Sequence, residues 1–210
     1  SYFLVLPALL FAQGTAEGNF RQAEALAAQG RFSDAVYHYR LAIEKNSSYK
    51  DAHLGLARSY FELSEFSRAL QSLESVFRLD GKNGKALLLR GRIHTRLGNK
   101  AEALADLGQV RSQDPGNTEV LTALGEYYES IGKSNLAFDF YRRIVQNHPA
   151  HFLALLGLAR HYGREGRMEL ALSVLEKARR INSMHHQFHE SRGLILLHGF
   201  VKSGNRDDLM

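Results

Sequence analysis

The sequence of 210 residues contains no cysteine and no tryptophan, and it has only three prolines. Without cysteine the chain cannot form a disulfide, a cysteine-ligated zinc or iron–sulfur site, or a thiol nucleophile. Hydrophobic residues make up 44% and charged residues 23% of the chain, which excludes a wholly disordered or collagen-like protein. The formal net charge of +5 permits acidic partners, but no recognisable nucleic-acid-binding module concentrates the basic residues. We therefore expect no nucleic-acid partner.

An uncharged apolar stretch stands at the start of the sequence, over residues 2–12. It is too short to cross a bilayer, which requires about 20 residues, so we expect no integral membrane span. Its length fits the hydrophobic region of a secretory signal, and Ala12 and Gly14 have the spacing of a cleavage site. Because a basic region before it is missing, we expect the sequence to begin partway through a precursor. We predict that residues 1–15 are a signal-peptide remnant and that the chain is exported to the periplasm or cell envelope.

Three alternatives to export remain open for this leader. It could be an apolar helix that caps the first repeat, a truncated membrane anchor, or part of a cytoplasmic chain.

A spacing of 34 residues recurs through the rest of the sequence. In five successive units an alanine follows a short polar turn, a bulky residue comes four positions later, and a small residue comes twelve positions earlier. The alanines are Ala35, Ala69, Ala103, Ala137 and Ala171; the bulky residues are Tyr39, Leu73, Leu107, Tyr141 and Leu175; the earlier small residues are Ala23, Ala57, Gly91, Gly125 and Ala159. Small residues at fixed positions allow two helices to approach closely, and the large ones fill the space between them.

This register resembles the tetratricopeptide repeat family, whose unit is a helix–turn–helix of 34 residues. The resemblance implies an all-α fold, a right-handed α-solenoid in which neighbouring repeats stack and present a concave surface. We expect a partial sixth repeat or capping helix over 186–201 and a mobile tail over 202–210. The five predicted repeats are 16–49, 50–83, 84–117, 118–151 and 152–185.

Two local motifs have ordinary explanations. The run from Gly132 to Ser134 ends like a phosphate-binding loop, but Tyr127 stands where that motif needs glycine, so we interpret the run as an interhelical turn. A cluster of His185, His186 and His189 could ligate a metal, but no carboxylate at metalloprotease spacing accompanies it, and we interpret it as a polar turn with packing. Since no spacing indicates a nucleophile with a base or a paired acid, we predict no enzyme activity, no cofactor and no metal.

The family resemblance implies that positions 2, 5, 9, 12 and 13 of the first helix of each repeat face the concave groove. The third repeat is the most basic, and its Lys85, Arg92 and Arg96 share one helix face. The fourth repeat is acidic, with Glu126 and Glu129 among its first-helix residues. We predict that the partner-binding residues are Arg58, Lys85, Arg92, Arg96, Glu126, Arg160 and Arg164.

This charge pattern allows two interpretations. Arginine side chains in the groove could hold the acidic groups of a bound peptide. Alternatively, Glu126 could neutralise Arg92 and Arg160 in the adjacent repeats, and such exposed pairs contribute only about 0–1 kcal/mol.

We predict a protein–protein interaction scaffold that binds a peptide or protein partner in the concave groove, with a role in bacterial envelope or secretion assembly. One alternative is a non-catalytic arm of a larger enzyme or complex. Another is a self-associating adaptor, because Leu194–Val201 contains an apolar cluster where a terminal repeat usually presents a polar face. We expect that the chain continues there or that this cluster packs on a partner. The cluster consists of Leu194, Ile195, Leu196, Leu197, Phe200 and Val201.

Overall fold

The structure is a computed structural model that describes residues 14–203, with the burial of side chains described through residue 199. These residues form eleven α-helices, and there is no β-strand among them. The helices are α1 Ala16–Ala28, α2 Phe32–Lys45, α3 Lys50–Glu62, α4 Phe66–Leu79, α5 Gly84–Leu97, α6 Lys100–Gln113, α7 Thr118–Ser130, α8 Ser134–Asn147, α9 Phe152–Glu165, α10 Met168–Ile181 and α11 His186–Ser203. We call the odd-numbered helices A helices and the even-numbered ones B helices.

The helices follow the spacing of the sequence repeat. The first five A helices begin at residues 16, 50, 84, 118 and 152, which are the first residues of the predicted repeats. Helix α11 begins at 186 and continues to Ser203, beyond the predicted end at 201. The predicted leader lies outside the described residues up to residue 13, and the predicted tail lies outside them from residue 204.

The chain divides into two compact units, Ser1–Leu97 and Gly98–Met210, which we call unit 1 and unit 2. Within unit 1 each of the helices α1 to α5 packs on the next, and within unit 2 the same holds from α7 to α11, with α6 packed on α7. The boundary falls after α5, inside the predicted third repeat.

A residue with a left-handed backbone conformation stands in every turn from an A helix to its B helix. These residues are Gly30, Ser64, Gly98, Gly132 and Gly166, with φ values between 60° and 80°. After Gly132, the amide of Lys133 donates a hydrogen bond of 2.8 Å to the carbonyl of Tyr128, which closes the end of α7 as a helix-terminating motif. Gly132 therefore serves the interhelical turn that the repeat register predicts.

The recurring small residues lie in the core. The five alanines from Ala35 to Ala171 are at most 1% exposed. The bulky residues four positions later are similarly buried, from 0% exposed at Leu73 and Leu107 to 5% at Leu175. The close approach of paired helices that the pattern predicts is thus present in the four repeats whose two helices lie within one unit, the first, second, fourth and fifth.

Candidate functional site

The A helices lie on the inner side of each unit. In unit 1, α1 contacts α3 and α3 contacts α5, whereas the B helices α2 and α4 do not contact each other along their described lengths. Unit 2 shows the same pattern, with contacts from α7 to α9 and from α9 to α11 but none from α8 to α10 within its described residues. Because the A helices are closer together than the B helices, each unit curves toward its A helices.

The A helices of unit 1 carry three exposed cations, Arg58 on α3 and Lys85 and Arg96 on α5. We call the surface that holds them the A-helix face of unit 1. Across residues 14–199, none of the three forms an ion pair. Helix α5 contains no acidic residue, so this end of the face is positively charged.

Arg92 lies between these cations on the face of α5 but is half-buried. Its guanidinium carbon lies 5.3 Å from the ring centre of Phe61, at a distance typical of a cation–π contact. This contact fixes the base of the positive surface to the neighbouring helix α3.

Glu24 of α1 occupies the repeat position that Arg92 occupies on α5, and its carboxylate is already hydrogen bonded. Glu24 accepts a hydrogen bond from the hydroxyl of Tyr39, which is almost fully buried. Burial and the bond to Glu24 raise the pKa of Tyr39 far above its usual value, so the hydroxyl remains a donor at neutral pH. The positive charge of Arg58 opposes this shift.

In unit 2, the predicted cations are held by one carboxylate. Glu129 on α7 receives a bond of 2.6 Å from Arg160 and one of 3.0 Å from Arg164, both on α9. The hydroxyl of Tyr141 on α8 donates to the same carboxylate at 3.0 Å, and Arg160 also donates to the hydroxyl of Ser191 on α11 at 2.9 Å. We call Glu129, Arg160, Arg164, Tyr141 and Ser191 the Glu129 network; it joins four helices.

The network is largely withdrawn from solvent. The side chains of Glu129 and Arg160 are 12% and 18% exposed. Burial alone would raise the pKa of Glu129, but the hydrogen bond and charge of Arg160, with the charge of Arg164, hold the pKa below its usual value. Burial would likewise lower the pKa of Arg160, and the Glu129 carboxylate raises it instead. Both groups are therefore charged at neutral pH, and they satisfy each other.

The network continues at its edge to a histidine. Arg164 donates to the hydroxyl of Ser134 at 3.2 Å, and that hydroxyl lies 3.1 Å from Nδ1 of His161. The His161 ring stacks on Phe138 with 4.3 Å between ring centres. Burial lowers the pKa of His161.

The structure adds a second acid to the pairing that the charge pattern suggested. Arg160 donates hydrogen bonds to Glu129 and Ser191, and the charge of Glu126 also acts on Arg160. From the sequence, Glu129 counted only as one acid of the fourth repeat. A signal was present, because Arg160 and Arg164 are four residues apart on one helix face and can hold a single carboxylate between them.

The apolar cluster of α11 is divided between core and surface. Ile195 is 1% exposed and packs against Gly163 in the core of unit 2. The expectation that Ile195 belongs to an exposed apolar cluster is therefore wrong. Leu194 and Leu197 are 37% and 53% exposed and form the solvent-facing part. The side chains of Phe200 and Val201 lie outside the described part of the helix.

The histidine cluster is arranged as a packing feature. His185 stacks on His186 with 4.7 Å between ring centres and lies 5.0 Å from the ring of Phe152. His189 contacts Phe188 edge-on. No group of three or more metal-ligating side chains suited to an ion occurs in the described residues.

Within residues 14–203, none of the helices combines the length and the apolar character that crossing a bilayer requires.

Several solved structures share this fold. TTC0263, a tetratricopeptide repeat protein of Thermus thermophilus, has a TM-score of 0.76 and 19% identity, covering 87% of this chain and 99% of its own. PilF of Pseudomonas aeruginosa has a TM-score of 0.67 and 17% identity, covering 92% of this chain and 86% of its own. YrrB, described as a tetratricopeptide repeat protein with an unusual peptide-binding site, has a TM-score of 0.55 and 21% identity, covering 91% of this chain and 98% of its own.

The sequence comparison agrees with the fold. No curated protein matches the chain in sequence. The tetratricopeptide repeat profile matches three overlapping segments, 54–118, 96–152 and 122–184, which together span more than half of the chain. The all-α repeat fold predicted from the sequence is confirmed, and the chain belongs to the tetratricopeptide repeat family.

Proposed function

We propose that this chain binds an extended acidic segment of a partner protein on the A-helix face of unit 1. Tetratricopeptide repeat proteins are generally protein–protein interaction scaffolds without catalytic activity, and this chain has their fold. The peptide-binding site named for the structural neighbour YrrB supports a peptide ligand. The charge on the A-helix face supports an acidic one.

One observation carries the proposal, which is the contrast between the two units. Arg160 and Arg164 are occupied by Glu129, so a ligand carboxylate would have to displace a buried ion pair to reach them. Arg58, Lys85 and Arg96 are exposed and have no ionic partner among residues 14–199. We therefore limit the proposed binding site to the cations of unit 1.

The cations of unit 1 form a row across two helices. Lys85, Arg92 and Arg96 lie on one face of α5, and Arg58 occupies on α3 the repeat position that Arg92 occupies on α5. A peptide lying across α3 and α5 would meet several cations in succession. Arginine forks bind carboxylates through paired hydrogen bonds, which gives such a row both affinity and orientation.

The proposal of export to the periplasm or cell envelope depends on residues 2–12, which lie outside the described residues. It is independent of the binding face.

The binding proposal can be tested with a phage-displayed library of short random peptides selected on the whole chain. The affinity of the selected peptides is then measured for the wild type and for one triple variant, Arg58→Glu, Lys85→Glu, Arg96→Glu. The matched control is Lys133→Glu, Arg143→Glu, Lys177→Glu, which changes the net charge equally at sites in unit 2.

We expect selected peptides to be rich in Asp and Glu and to bind more weakly as salt is added. The triple variant of unit 1 should lose at least about tenfold in affinity, and the control should lose little. Selection of neutral or basic peptides, or equal losses in the two variants, would show that the A-helix face of unit 1 is not the site.

A further inference from the structure

A second groove lies on the other side of unit 1, between the B helices α2 and α4, with α3 as its floor. It has a volume of about 880 Å³. The groove exists because α3 contacts both α1 and α5 on the inner side, whereas α2 and α4 remain apart along their described lengths. It shares no residue with the cations of the A-helix face.

Two serines on α4 keep this groove open. Ser72 and Ser75 line it beside Gln71, and the hydroxyl of Ser72 turns back to donate to the carbonyl of Arg68 at 2.9 Å. In the fifth repeat, the position of Ser72 is taken by Val174, which packs into the core of unit 2. The second repeat therefore leaves space that a larger residue takes up elsewhere.

The groove has an apolar floor and a polar rim. Leu56 and Tyr60 of α3, with Leu41 of α2, form the apolar part. On the rim, the ring of Tyr37 is 61% exposed. Arg40 stands on the same rim and forms no ion pair within the described residues.

The charge of the groove favours an acidic partner. Its lining contains Arg40 and Arg68 against a single acid, Glu44. Arg68 is held by Glu65 of its own turn at 2.6 Å, which leaves Arg40 as the cation available to a partner. A carboxylate beside an apolar stripe would match this arrangement.

The shape of the groove suits a helix. It is an open groove with an apolar floor between helices, and grooves of this kind receive the apolar face of an amphipathic helix. A helix satisfies its own backbone. With a diameter of about 10 Å and a rise of 1.5 Å per residue it occupies roughly 120 Å³ per residue, so the groove has room for about two turns.

We propose that the α2–α4 groove of unit 1 binds an amphipathic helix of a partner protein, with the apolar stripe of that helix on Leu41, Leu56 and Tyr60 and an Asp or Glu beside the stripe paired with Arg40. This site is separate from the A-helix face, and it stands or falls independently of the function proposed above.

The test uses the whole chain and a displayed library of helical peptides with a fixed leucine stripe and randomised Asp, Glu, Lys, Arg and Ser at the flanking positions. Peptides that bind are measured against Arg40→Glu and against Ser75→Phe, which fills the groove. Ser67→Phe, at an exposed position of α4 outside the groove, is the matched control. Circular dichroism verifies that each variant keeps its helix content, and Arg40→Gln replaces Arg40→Glu if the latter misfolds.

We expect enriched peptides to carry Asp or Glu beside the stripe. Their affinity should fall at least about tenfold in Arg40→Glu and Ser75→Phe and remain unchanged in Ser67→Phe and in the triple variant of the A-helix face. The proposal is overturned if no helical peptide is enriched, if the flanking residues selected are basic, or if binding is insensitive to Ser75→Phe. Binding that is lost only in the triple variant would assign the peptide to the other face and also overturn it.

Discussion

The ring of Tyr141 occupies the space beside Gly157 where a side chain would begin. A Cβ atom at Gly157 would lie 2.3 Å from Cδ2 and Cε2 of that ring, closer than any real contact allows. Tyr39 lies against Gly55 in the same way, where a Cβ atom would be 2.4 Å from the ring. In both pairs the tyrosine precedes the glycine by the same number of residues, so each tyrosine of this register requires a glycine in the next A helix.

This relationship predicts the effect of Gly157→Ala. In an unconstrained helix, alanine is more favourable than glycine by about 1 kcal/mol. Here the methyl group would push the buried Tyr141 ring out of its place, and overpacking of this kind costs about 1–3 kcal/mol. After the gain in helix propensity is subtracted, we expect the free energy of unfolding, measured by urea denaturation, to fall by up to about 2 kcal/mol.

Two further variants make the expectation specific. Gly193→Ala, at a helical glycine of α11 with no atom near its Cβ position, should be neutral or stabilising. The double variant Tyr141→Leu, Gly157→Ala should lose less stability than the two single variants lose together, because three repeats already have leucine at the position of Tyr141. Additive losses would mean that the two residues are not coupled.

The Glu129 network predicts a strong asymmetry between two neighbouring acids. Glu129→Gln would remove the carboxylate charge that Arg160 and Arg164 share in a largely buried site, and breaking such a pair costs about 3 kcal/mol. Glu126→Gln keeps the hydrogen bonds of Arg160 intact and should cost much less. Thermal and urea unfolding of the two variants measure the difference, and equal stabilities would contradict the assignment of Glu129 as the centre of the network.

The N-terminus of α9 predicts a dependence of stability on pH. Nδ1 of His151 accepts the amide of Ala154 at 3.2 Å, and burial, followed by the charge of His148, lowers the pKa of His151 below its usual 6.5. Protonation removes this acceptor and places a positive charge at a helix N-terminus. Since the unfolded chain then binds more protons than the folded chain, stability should fall as the pH drops below about 6.5 and level off below the folded pKa.

The variant His151→Asn tests this explanation. Asparagine is a strong helix cap that does not titrate, so the variant should be as stable as the wild type at neutral pH and lose less stability in acid. His161, whose pKa burial also lowers, should account for part of the dependence that remains. His151→Ala should cost about 1 kcal/mol at neutral pH through loss of the cap. The explanation fails if His151→Asn has the same pH profile as the wild type.

The repeat fold was predictable because it depends on local spacing. Alanines 34 residues apart, the glycine turns and the bulky residues between them indicate the helix pairs without any knowledge of distant contacts. Ser64 shows the limit of that signal, since it takes the left-handed turn conformation in the one repeat that lacks glycine there.

The candidate site was less predictable because charge pairing depends on which rotamers meet across helices. The position of Glu126 suggested that it would pair with Arg160. In the structure Glu129, one helical turn later, forms ion pairs with Arg160 and Arg164 and accepts a hydrogen bond from Tyr141. The α2–α4 groove was missed for a related reason. Serine and glutamine on a B helix look like an ordinary solvated face until the separation of two B helices is known.

The exposed part of α11 predicts concentration-dependent association of the chain. Leu194 and Leu197 face solvent less than one turn apart, so they form one apolar strip, while Ile195 belongs to the core. If this strip is a self-association surface, light scattering should show a mass that rises with concentration for the wild type but not for Leu197→Glu. Leu104→Glu, at a similarly exposed leucine of α6, should associate like the wild type. Ile195→Ala should instead lower the free energy of unfolding by about 2–5 kcal/mol, because it leaves a cavity beside Gly163. A wild-type mass that stays that of a monomer at every concentration would exclude self-association through α11.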